Sequence, residues 1–500
     1  MILQDAFTVE PWNLRETQLD LDLLAQTESV FALANGHLGW RANLDEGEPH
    51  GLPGSYLNGV YESRPLPYAE SAYGLPESGE EVINVTNGKV IRLFVDDEPF
   101  DVRDGELRSH ERRLDFRTGV LTRSADWVSP AGRRVRVSSD RMVSLTQRAV
   151  AAICYEVEPL NGPARISVHS ELIANEQLPA AQADPRLPAP LENPLGHEYH
   201  QTIDTSVLLM HKTMTSGLRV AAVMDHLFEC PAEVHTESWA LEDNGLVSAT
   251  TVLRPGQKLR VIKFVAYGWS RQRSLPAVRD QVWAALRTAR LTGWNGLLAE
   301  QRAYLDDFWD RADVEVDGDA EVQQAVRFGL FHVLQAGARA EDRAIPAKGL
   351  TGPGYGGHAF WDSETFVLPM LSFIAPSRPR RRFAGGTARF STLSTAPPSW
   401  ACRARPSRGG RSPAGSALAT GPLALPLSTS TLISRWQWSG TSTPPATRSS
   451  LGAREWTCSS TLPGCGAHLA ATTPTASSIS TASRVRTSTA PSPTTTSIQT

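Results

Sequence analysis

The segment of this sequence most suited to chemistry runs from Ile345 to Phe373 and reads IPAKGLTGPGYGGHAFWDSETFVLPMLSF. Its five glycines can let the backbone come close to a ligand, because glycine has no Cβ; they are Gly349, Gly352, Gly354, Gly356 and Gly357. Trp361 could offer an apolar ring face to the C–H surface of a sugar, and Asp362 could accept hydrogen bonds from two sugar hydroxyls. The same pair could instead be a buried tryptophan and a helix-capping aspartate.

The elements before this segment have the pattern of short strands. Runs with alternating or wholly apolar residues end at turn dipeptides such as Asp96-Asp97 and Asn161-Gly162. The clearest runs are Val90–Val95, Arg134–Ser138, Ile166–Ser170 and Lys258–Val265. Many short strands with frequent turns are typical of a large β-sandwich, which we predict for residues 1–270.

The period of the pattern then changes from that of strands to that of helices. Residues 277–309 are rich in Ala, Leu, Arg and Gln, which favour helix, and we assign residues 271–318 to a helical linker. Asp319 is suited to cap a second helix, with Glu321 in its first turn. Apolar residues at helical spacing predict one buried face on this helix: Val322, Ala325, Val326, Gly329, Leu330, Val333 and Leu334. We therefore predict that a helical domain begins at residue 319.

Composition excludes several classes of protein. A chain of 500 residues predicts two or three domains. There is no apolar run of about 18 residues and no leader pattern at Met1, so we expect neither a membrane span nor a signal peptide. The five cysteines are scattered, which favours a reducing compartment, and we expect a cytoplasmic protein. The acidic run at 313–321 lacks the ligand spacing of a calcium loop, and we expect no metal.

The charge of the chain changes sign near residue 364. Residues 1–364 carry a net charge of −17, whereas residues 365–500 carry +13, with Glu455 as the sole acid, no lysine and 14 arginines. Residues 391–500 contain 42 Ser and Thr among 110 positions, with frequent turn breakers. Such a segment buries too little apolar surface to offset the entropy of ordering, so we expect residues 378–500 to be disordered. Arginines spread without aromatic residues between them do not favour a nucleic-acid partner.

The motif around Trp361 resembles that of glycoside hydrolase family 65, which contains maltose, kojibiose and trehalose phosphorylases and hydrolytic relatives. The N-terminal region agrees with the resemblance at Trp12–Glu16, Phe31–Gly39, Arg41 and Asn43. The resemblance extends from about residue 8 to about residue 375. It implies an α+β multidomain fold with an N-terminal β-sandwich, a helical linker and an (α/α)6 barrel, which would start within residues 319–377.

The resemblance also implies the chemistry. Trp361 and Asp362 match residues that hold the glucosyl unit of a disaccharide at the cleaved bond, and His358 and Glu364 lie beside them. In the family, a Glu in a later Gly-Pro-Asp-Glu-Tyr motif protonates the glycosidic oxygen, while inorganic phosphate attacks the anomeric carbon and inverts it. Phosphate is thus a co-substrate, and no cofactor is implied. In hydrolytic relatives, a second carboxylate activates water instead. Intact relatives are often homodimers.

This chain departs from the family after the motif, because it contains no Gly-Pro-Asp-Glu-Tyr. One choice of codons for Arg484–Thr489, read from the last base of the first codon, spells that pentapeptide. Segments near residues 401–414 and 424–436, shifted in the same way, also resemble the family's barrel. We therefore predict a loss of reading frame between about Phe373 and Ser391. The general acid would then fall at Thr487 and Ser488, and the product would be truncated, inactive or insoluble.

Three functions remain as alternatives at this point. The first is phosphorolysis of an α-glucosyl disaccharide such as maltose, trehalose or kojibiose, taken at the level of the family. The second is hydrolysis of the same substrates. The third is a non-catalytic remnant that binds carbohydrate through Trp361 and Asp362.

Overall fold

The computed structural model describes residues 7–52, 54–65, 78–176, 191–341 and 343–374. Within these ranges the chain is mostly β up to residue 270 and helical afterwards. The predicted fold class, a β-sandwich followed by helices, is therefore confirmed. The predicted tail at 378–500, including Thr487 and Ser488, lies outside the described residues. The domain boundaries that we assigned remain predictions.

The largest sheet is antiparallel and has ten strands among the described residues. In spatial order its strands, numbered along the chain, are β1 (Thr8–Glu10), β2 (Asn13–Glu16), β10 (Glu106–Asp115), β11 (Val120–Val128), β12 (Arg134–Val143), β13 (Val150–Pro159), β20 (Leu259–Ser270), β17 (Arg219–Glu229), β16 (Ser206–Thr213) and β15 (Leu195–Ile203). The predicted runs at 134–138 and 258–265 lie within or largely within β12 and β20, which are both longer than predicted.

A second antiparallel sheet packs against the first. Its strands in spatial order are β18 (His235–Ala240), β19 (Asn244–Leu253), β14 (Ala164–Ile173), β8 (Ile91–Val95) and β9 (Glu98–Pro99). Alternate residues of β14 are buried, as expected of a strand with one face on a core. Leu93 and Val168 from this sheet share one hydrophobic core with Val207 and Met224 from the large sheet. The two sheets therefore form the predicted β-sandwich.

Two smaller sheets and a short helix occupy the N-terminal region. One sheet comprises β3 (Leu33–Ala34), β4 (Leu38–Trp40) and β5 (Ser55–Leu57), and the other is the hairpin of β6 (Tyr61–Pro65) and β7 (Ser78–Val82). Helix α1 (Leu24–Val30) precedes β3. These elements contribute to the site described below.

Several charged side chains inside the sandwich are paired with a residue of opposite charge. Asp45 is 1% exposed and accepts hydrogen bonds from Arg141 at 3.0 Å and Arg123 at 3.1 Å. Burial opposes ionisation of Asp45, but the two guanidinium groups outweigh it and lower its pKa. Arg112 likewise donates to Glu16 at 2.6 Å. Losing one member of such a pair would leave a buried charge without compensation.

Helix α2 (Leu275–Ala312) follows the last strand and confirms the helix predicted at 277–309. Gly293 interrupts it with φ 68° and ψ 169°, so the element is two helices that meet at a kink. Before the kink, Val278, Val282 and Leu286 pack in a core cluster with residues of the large sheet. After it, Trp309 donates to the carbonyl of Phe116 at 2.8 Å. Both halves are thus packed on the sandwich.

Helix α3 (Ala320–Gly337) begins as predicted, and its buried face agrees with the predicted one in part. Asp319 caps it by accepting from the amide of Val322 at 3.0 Å. Leu330 and Leu334 of the predicted apolar face are buried, whereas Val322 and Ala325 are exposed, which corrects the prediction for the first turns. The buried side chains include four polar ones: Gln323, Gln324, Arg327 and Gln335. They are buried because they bond to the chain around them: Gln324 donates to the carbonyl of Asn13 at 2.7 Å, and Arg327 pairs with Asp313 at 2.7 Å.

The helices of the described ranges are too short or too polar to cross a membrane. Of the cysteines, Cys154 and Cys230 are described, and both are free thiols.

Candidate functional site

The motif segment folds as a loop that leads into two short helical turns. A tight turn at Gly354–Gly357 is followed by a π-helical turn at Ser363–Val367 and by α4 (Leu368–Ile374). The hydroxyl of Ser363 donates to the carbonyl of Ile345 at 3.2 Å. The amide of Ala347 donates to the carbonyl of His358 at 2.9 Å. These two bonds close the loop at its base. His358 makes one of them, and Trp361 and Asp362 lie in the short stretch between His358 and Ser363.

The β6–β7 hairpin supports this loop from the sandwich side. The hydroxyl of Tyr61 donates to the carbonyl of Gly357 at 2.6 Å, and its ring stacks on that of His358 with 6.0 Å between centroids and 15° between planes. Gly357 has φ +72°, and a Cβ there would lie 2.5 Å from the Cβ of Val82. Glycine is therefore required at this position because the backbone lies close to β7. A ligand, not β7, is the close neighbour that the sequence predicted. Loop and hairpin therefore form one packed unit.

Trp361 and Asp362 are on the surface. Trp361 is 55% exposed, and the side chain of Asp362 makes no capping bond to the helical turn that it precedes. The alternative interpretation, a buried tryptophan with a capping aspartate, is thus wrong for this structure. The ring face and the carboxylate are both free to meet a ligand, which is what sugar binding would require.

Two further aromatic residues lie near Trp361. Phe360 is its neighbour in the chain, and Tyr355 packs edge-on against Phe360 with 5.7 Å between ring centroids. Both rings are exposed, and the ammonium of Lys348 lies 5.8 Å from the centre of the Tyr355 ring. Sequence reasoning did not select these residues, although three aromatic residues within seven positions were a visible signal.

Carboxyl groups lie on both sides of the loop. Glu364 is half-buried, and its Oε2 is shielded from solvent with no hydrogen-bond partner among the described residues. Its amide donates to the carbonyl of Trp361 at 3.1 Å. On the hairpin, burial raises the pKa of Glu81, while Arg64 and His358 act in the opposite direction. The described residues around the loop thus offer carboxylates, aromatic rings and one lysine for a polar ligand.

The N-terminal motif holds the other side of the loop. Arg41 is buried and donates to the carbonyls of Thr351 and Ala25, at 2.6 Å each, while it lies 3.4 Å from the carboxylate of Glu28. A Cβ on Gly39 would lie 2.3 Å from that of Leu350. Arg41 and Gly39 thus hold the loop against the sheet formed by β3, β4 and β5, which explains their place in the motif.

The same motif fixes the end of α3. Gln335 accepts from the amide of Ala34 at 2.7 Å. Asn58 donates to the carbonyls of Gly36 and Ala344, at 2.9 Å each. The sandwich side therefore holds both the helix that precedes the loop and the loop itself.

Comparison with known proteins gives the family. Residues 14–308 match the model "Glycosyl hydrolase family 65, N-terminal domain", and residues 327–385 match "Glycosyl hydrolase family 65 central catalytic domain". The chain belongs to glycosyl hydrolase family 65. This membership confirms the resemblance that we inferred from the motifs.

Curated relatives match about three quarters of the chain. An uncharacterized glycosyl hydrolase of Mycobacterium tuberculosis (strain ATCC 25618 / H37Rv) is 61% identical over 376 residues, which are 75% of this chain and 48% of that protein. The alpha,alpha-trehalose phosphorylase of Thermoanaerobacter brockii is 32% identical over 379 residues, 74% of this chain and 48% of the enzyme. The family 65 chain thus spans about half the length of the curated relatives it matches.

A solved structure has the same fold. It comes from the human microbiome and is provisionally assigned as a kojibiose phosphorylase. It superposes with a TM-score of 0.70 at 24% identity, covering 78% of this chain and 50% of that one. At this identity the likeness concerns the fold alone, and it agrees with a sandwich followed by helices. The roles of Trp361, Asp362, His358 and Glu364 remain predictions.

Proposed function

We propose that this sequence encodes the N-terminal half of a family 65 phosphorylase for an α-glucosyl disaccharide, and that Trp361 and Asp362 hold the glucosyl unit. The observation that carries the proposal is the surface position of both side chains in a loop that the hairpin of the N-terminal region holds through Tyr61. A glucose ring has an apolar C–H face and a rim of hydroxyls. The Trp361 ring can stack on the apolar face of the sugar, and the Asp362 carboxylate can accept hydrogen bonds from its hydroxyls.

In this proposal, the reaction is a single displacement with inversion. Inorganic phosphate attacks the anomeric carbon, the glycosidic bond breaks, and a carboxylic acid gives its proton to the departing oxygen. An α-glucoside would then yield β-glucose 1-phosphate and a free sugar. No cofactor is needed, because phosphate is itself the nucleophile. The trehalose phosphorylase among the relatives favours this reaction over hydrolysis, in which a second carboxylate would have to activate water.

We propose further that this 500-residue chain does not catalyse the reaction. After Glu364 the sequence contains one acidic residue, Glu455, whose neighbours do not match the family's acid motif. At the predicted position of the acid, Thr487 and Ser488 offer only hydroxyls, which do not give up a proton readily at neutral pH. General acid catalysis contributes on the order of 10²–10⁴-fold to such reactions. Its loss, together with the loss of the barrel helices that position it, would abolish turnover.

A lost reading frame is our explanation for the missing acid. Two observations support it. The net charge changes from −17 over residues 1–364 to +13 over residues 365–500. The match to the catalytic domain ends at residue 385, inside the window of about 373–391 in which we place the loss of frame.

Resequencing the gene across codons 370–395 tests the frame directly. A corrected frame should then encode Gly-Pro-Asp-Glu-Tyr about 100 codons later, whereas an unbroken frame in independent transcripts would refute the explanation. The enzyme made from the corrected frame should release sugar phosphate from trehalose, maltose or kojibiose only when phosphate is present. Release of free glucose without phosphate would identify a hydrolase instead.

Sugar binding by the present chain tests the site separately from catalysis. We expect glucose or trehalose to bind the chain in a calorimetric titration, and we expect Trp361→Ala to abolish binding. Trp239→Ala is the matched control, because Trp239 is 44% exposed but lies on β18. Equal binding by the two variants would remove Trp361 from the site. Binding without turnover would fit a remnant that only binds carbohydrate.

We propose a cytoplasmic location for the enzyme. The free thiols of Cys154 and Cys230 support a reducing compartment. Fractionation of cells with an antibody to residues before 364 would check it.

A further inference from the structure

A pair of histidines lies on the edge strand β15, on the sandwich and apart from the motif loop. The ring nitrogens His197 Nε2 and His200 Nδ1 are 2.9 Å apart and share a hydrogen bond, and both side chains are exposed. In a regular strand, residues three apart point to opposite faces of the sheet. The convergence of these two rings therefore needs a local cause.

That cause is a β-bulge at Glu198. His197 pairs with His211 on β16, Tyr199 pairs with Met210, and His200 pairs with Leu209, so Glu198 has no partner of its own. The extra residue changes the alternation and returns His200 to the face of His197. Tyr199 points the other way and packs in the core cluster under α2. The bulge therefore places two imidazoles side by side on one face.

His211 restricts the ring of His197. It is 1% exposed and packs edge-on against that ring, with 6.2 Å between centroids and 78° between planes. Its own Nε2 lies 3.0 Å from Oδ1 of Asp243, which fixes its orientation. Glu198 is engaged elsewhere, 2.8 Å from the guanidinium of Arg219. The His pair is thus preorganised, and the adjacent carboxylates already have partners.

We propose that His197 Nε2 and His200 Nδ1 form a binding site for a divalent transition-metal ion with tetragonal geometry, Cu²⁺ or Ni²⁺. Two nitrogens at about 90° around a metal roughly 2.0–2.1 Å away are about 2.9 Å apart, which is the separation of this hydrogen-bonded pair, so the ion would replace the shared proton with little movement of the rings. Tetrahedral Zn²⁺ would need them further apart. No group of three or more His, Cys, Asp or Glu within the described ranges is placed to hold a metal, so water completes the coordination.

The test is titration of the full chain, made without a polyhistidine tag, with Cu²⁺ or Ni²⁺ in a calorimeter. We expect one ion per chain and no heat with Mg²⁺, which prefers oxygen ligands. His197→Gln and His200→Gln should each weaken binding by about tenfold or more, the scale seen when the surroundings of a metal site are altered. The control is His235→Gln, an exposed histidine on β18 beside Glu237, which should bind as the parent does.

Spectroscopy separates this site from nonspecific binding. Bound Cu²⁺ should show two nitrogen ligands by electron paramagnetic resonance in the parent chain and one in each single variant. Thermal unfolding without metal should be unchanged in both variants, because their side chains are exposed. Undiminished binding in the double variant, or a parent chain that binds no better than it, would overturn the proposal.

Discussion

The hydroxyl of Tyr61 donates to the carbonyl of Gly357 at 2.6 Å across 296 positions of the chain. One partner begins a strand of the N-terminal hairpin, and the other ends the glycine turn before His358 and Trp361. Since the same tyrosine ring stacks on His358, one side chain fixes both the backbone and an imidazole of the motif. The candidate site is therefore held by a residue that the motif itself does not contain.

Tyr61→Phe tests this support. The variant keeps the ring stacked on His358 but removes the bond to Gly357, so we expect a loss of about 1 kcal/mol in the free energy of unfolding. Sugar binding at Trp361 should weaken as well, because the loop becomes free to shift. Denaturant unfolding and calorimetric titration with glucose measure the two effects.

Tyr155→Phe is the matched control for Tyr61→Phe. The hydroxyl of Tyr155 is buried but has no hydrogen-bond partner among the described residues, so its removal should be neutral or stabilising. If the two variants lost the same stability and both left sugar binding intact, the bond from Tyr61 would have no role in the site.

Strand positions could be predicted from the sequence, because alternation and turn dipeptides are local signals. Ile91–Val95 ends at Asp96 and Asp97, whose φ values of 49° and 74° make the predicted turn. The cap of α3 at Asp319 is equally local. By contrast, Tyr61 could not be linked to Gly357 from sequence, because the contact depends on how the hairpin meets the loop.

The first turns of α3 were mispredicted for a physical reason, although Leu330 and Leu334 are buried as expected. Periodicity assigns apolar residues to the interior, but this helix packs on the N-terminal segment, whose backbone carbonyls need hydrogen-bond donors. Gln324 and Arg327 supply them, and Val322 is left outside. The exposure of Trp361 could not be predicted either, because composition alone does not distinguish a ring that binds sugar from a ring buried in the core.

Acidification should destabilise the protein below about pH 6.5. Burial lowers the pKa of His226 and of His332 to about 4, from 6.5 in the unfolded chain. Between these values the unfolded chain binds more protons, so the stability present above pH 6.5 is lost as the pH falls toward 4. Each histidine should contribute about 1.4 kcal/mol per pH unit in that window. Urea midpoints at pH 7, 6 and 5 measure the loss.

His226→Gln should make this acid dependence less steep, whereas His235→Gln, at an exposed site, should leave it unchanged. The assignment would fail if both variants followed the parent curve.

Alkaline conditions should have the opposite effect through a buried lysine. Burial lowers the pKa of Lys263 to about 7, and its Nζ donates to the carbonyls of Val90 at 3.1 Å and Glu171 at 2.9 Å. Between pH 7 and 10.5 the unfolded chain again binds more protons, so stability should rise with pH. Lys263→Met should reduce that rise between pH 7 and 9, while Lys258→Met, at an exposed lysine, should not. Guanidinium unfolding at the two pH values decides between them.

The kink in α2 should depend on Gly293. Its φ of 68° with ψ of 169° is a conformation that L-residues avoid, at a cost on the order of 1–3 kcal/mol. Because α2 packs on one core cluster through Val282 before the kink and Leu297 after it, and on another through Leu305, straightening the helix would pull one half away from the sandwich. We therefore expect Gly293→Ala to lower the free energy of unfolding by about that amount, measured by calorimetry and denaturant.

Gly329 provides the contrast within the same fold. It lies inside α3, and a Cβ there would meet nothing within 4 Å. Gly329→Ala should therefore stabilise by about 0.4–1 kcal/mol, because alanine reduces the freedom of the unfolded chain without strain. Opposite signs for the two substitutions would locate the strain at the kink. A stabilised Gly293→Ala variant would mean that α2 can run straight while both halves stay packed.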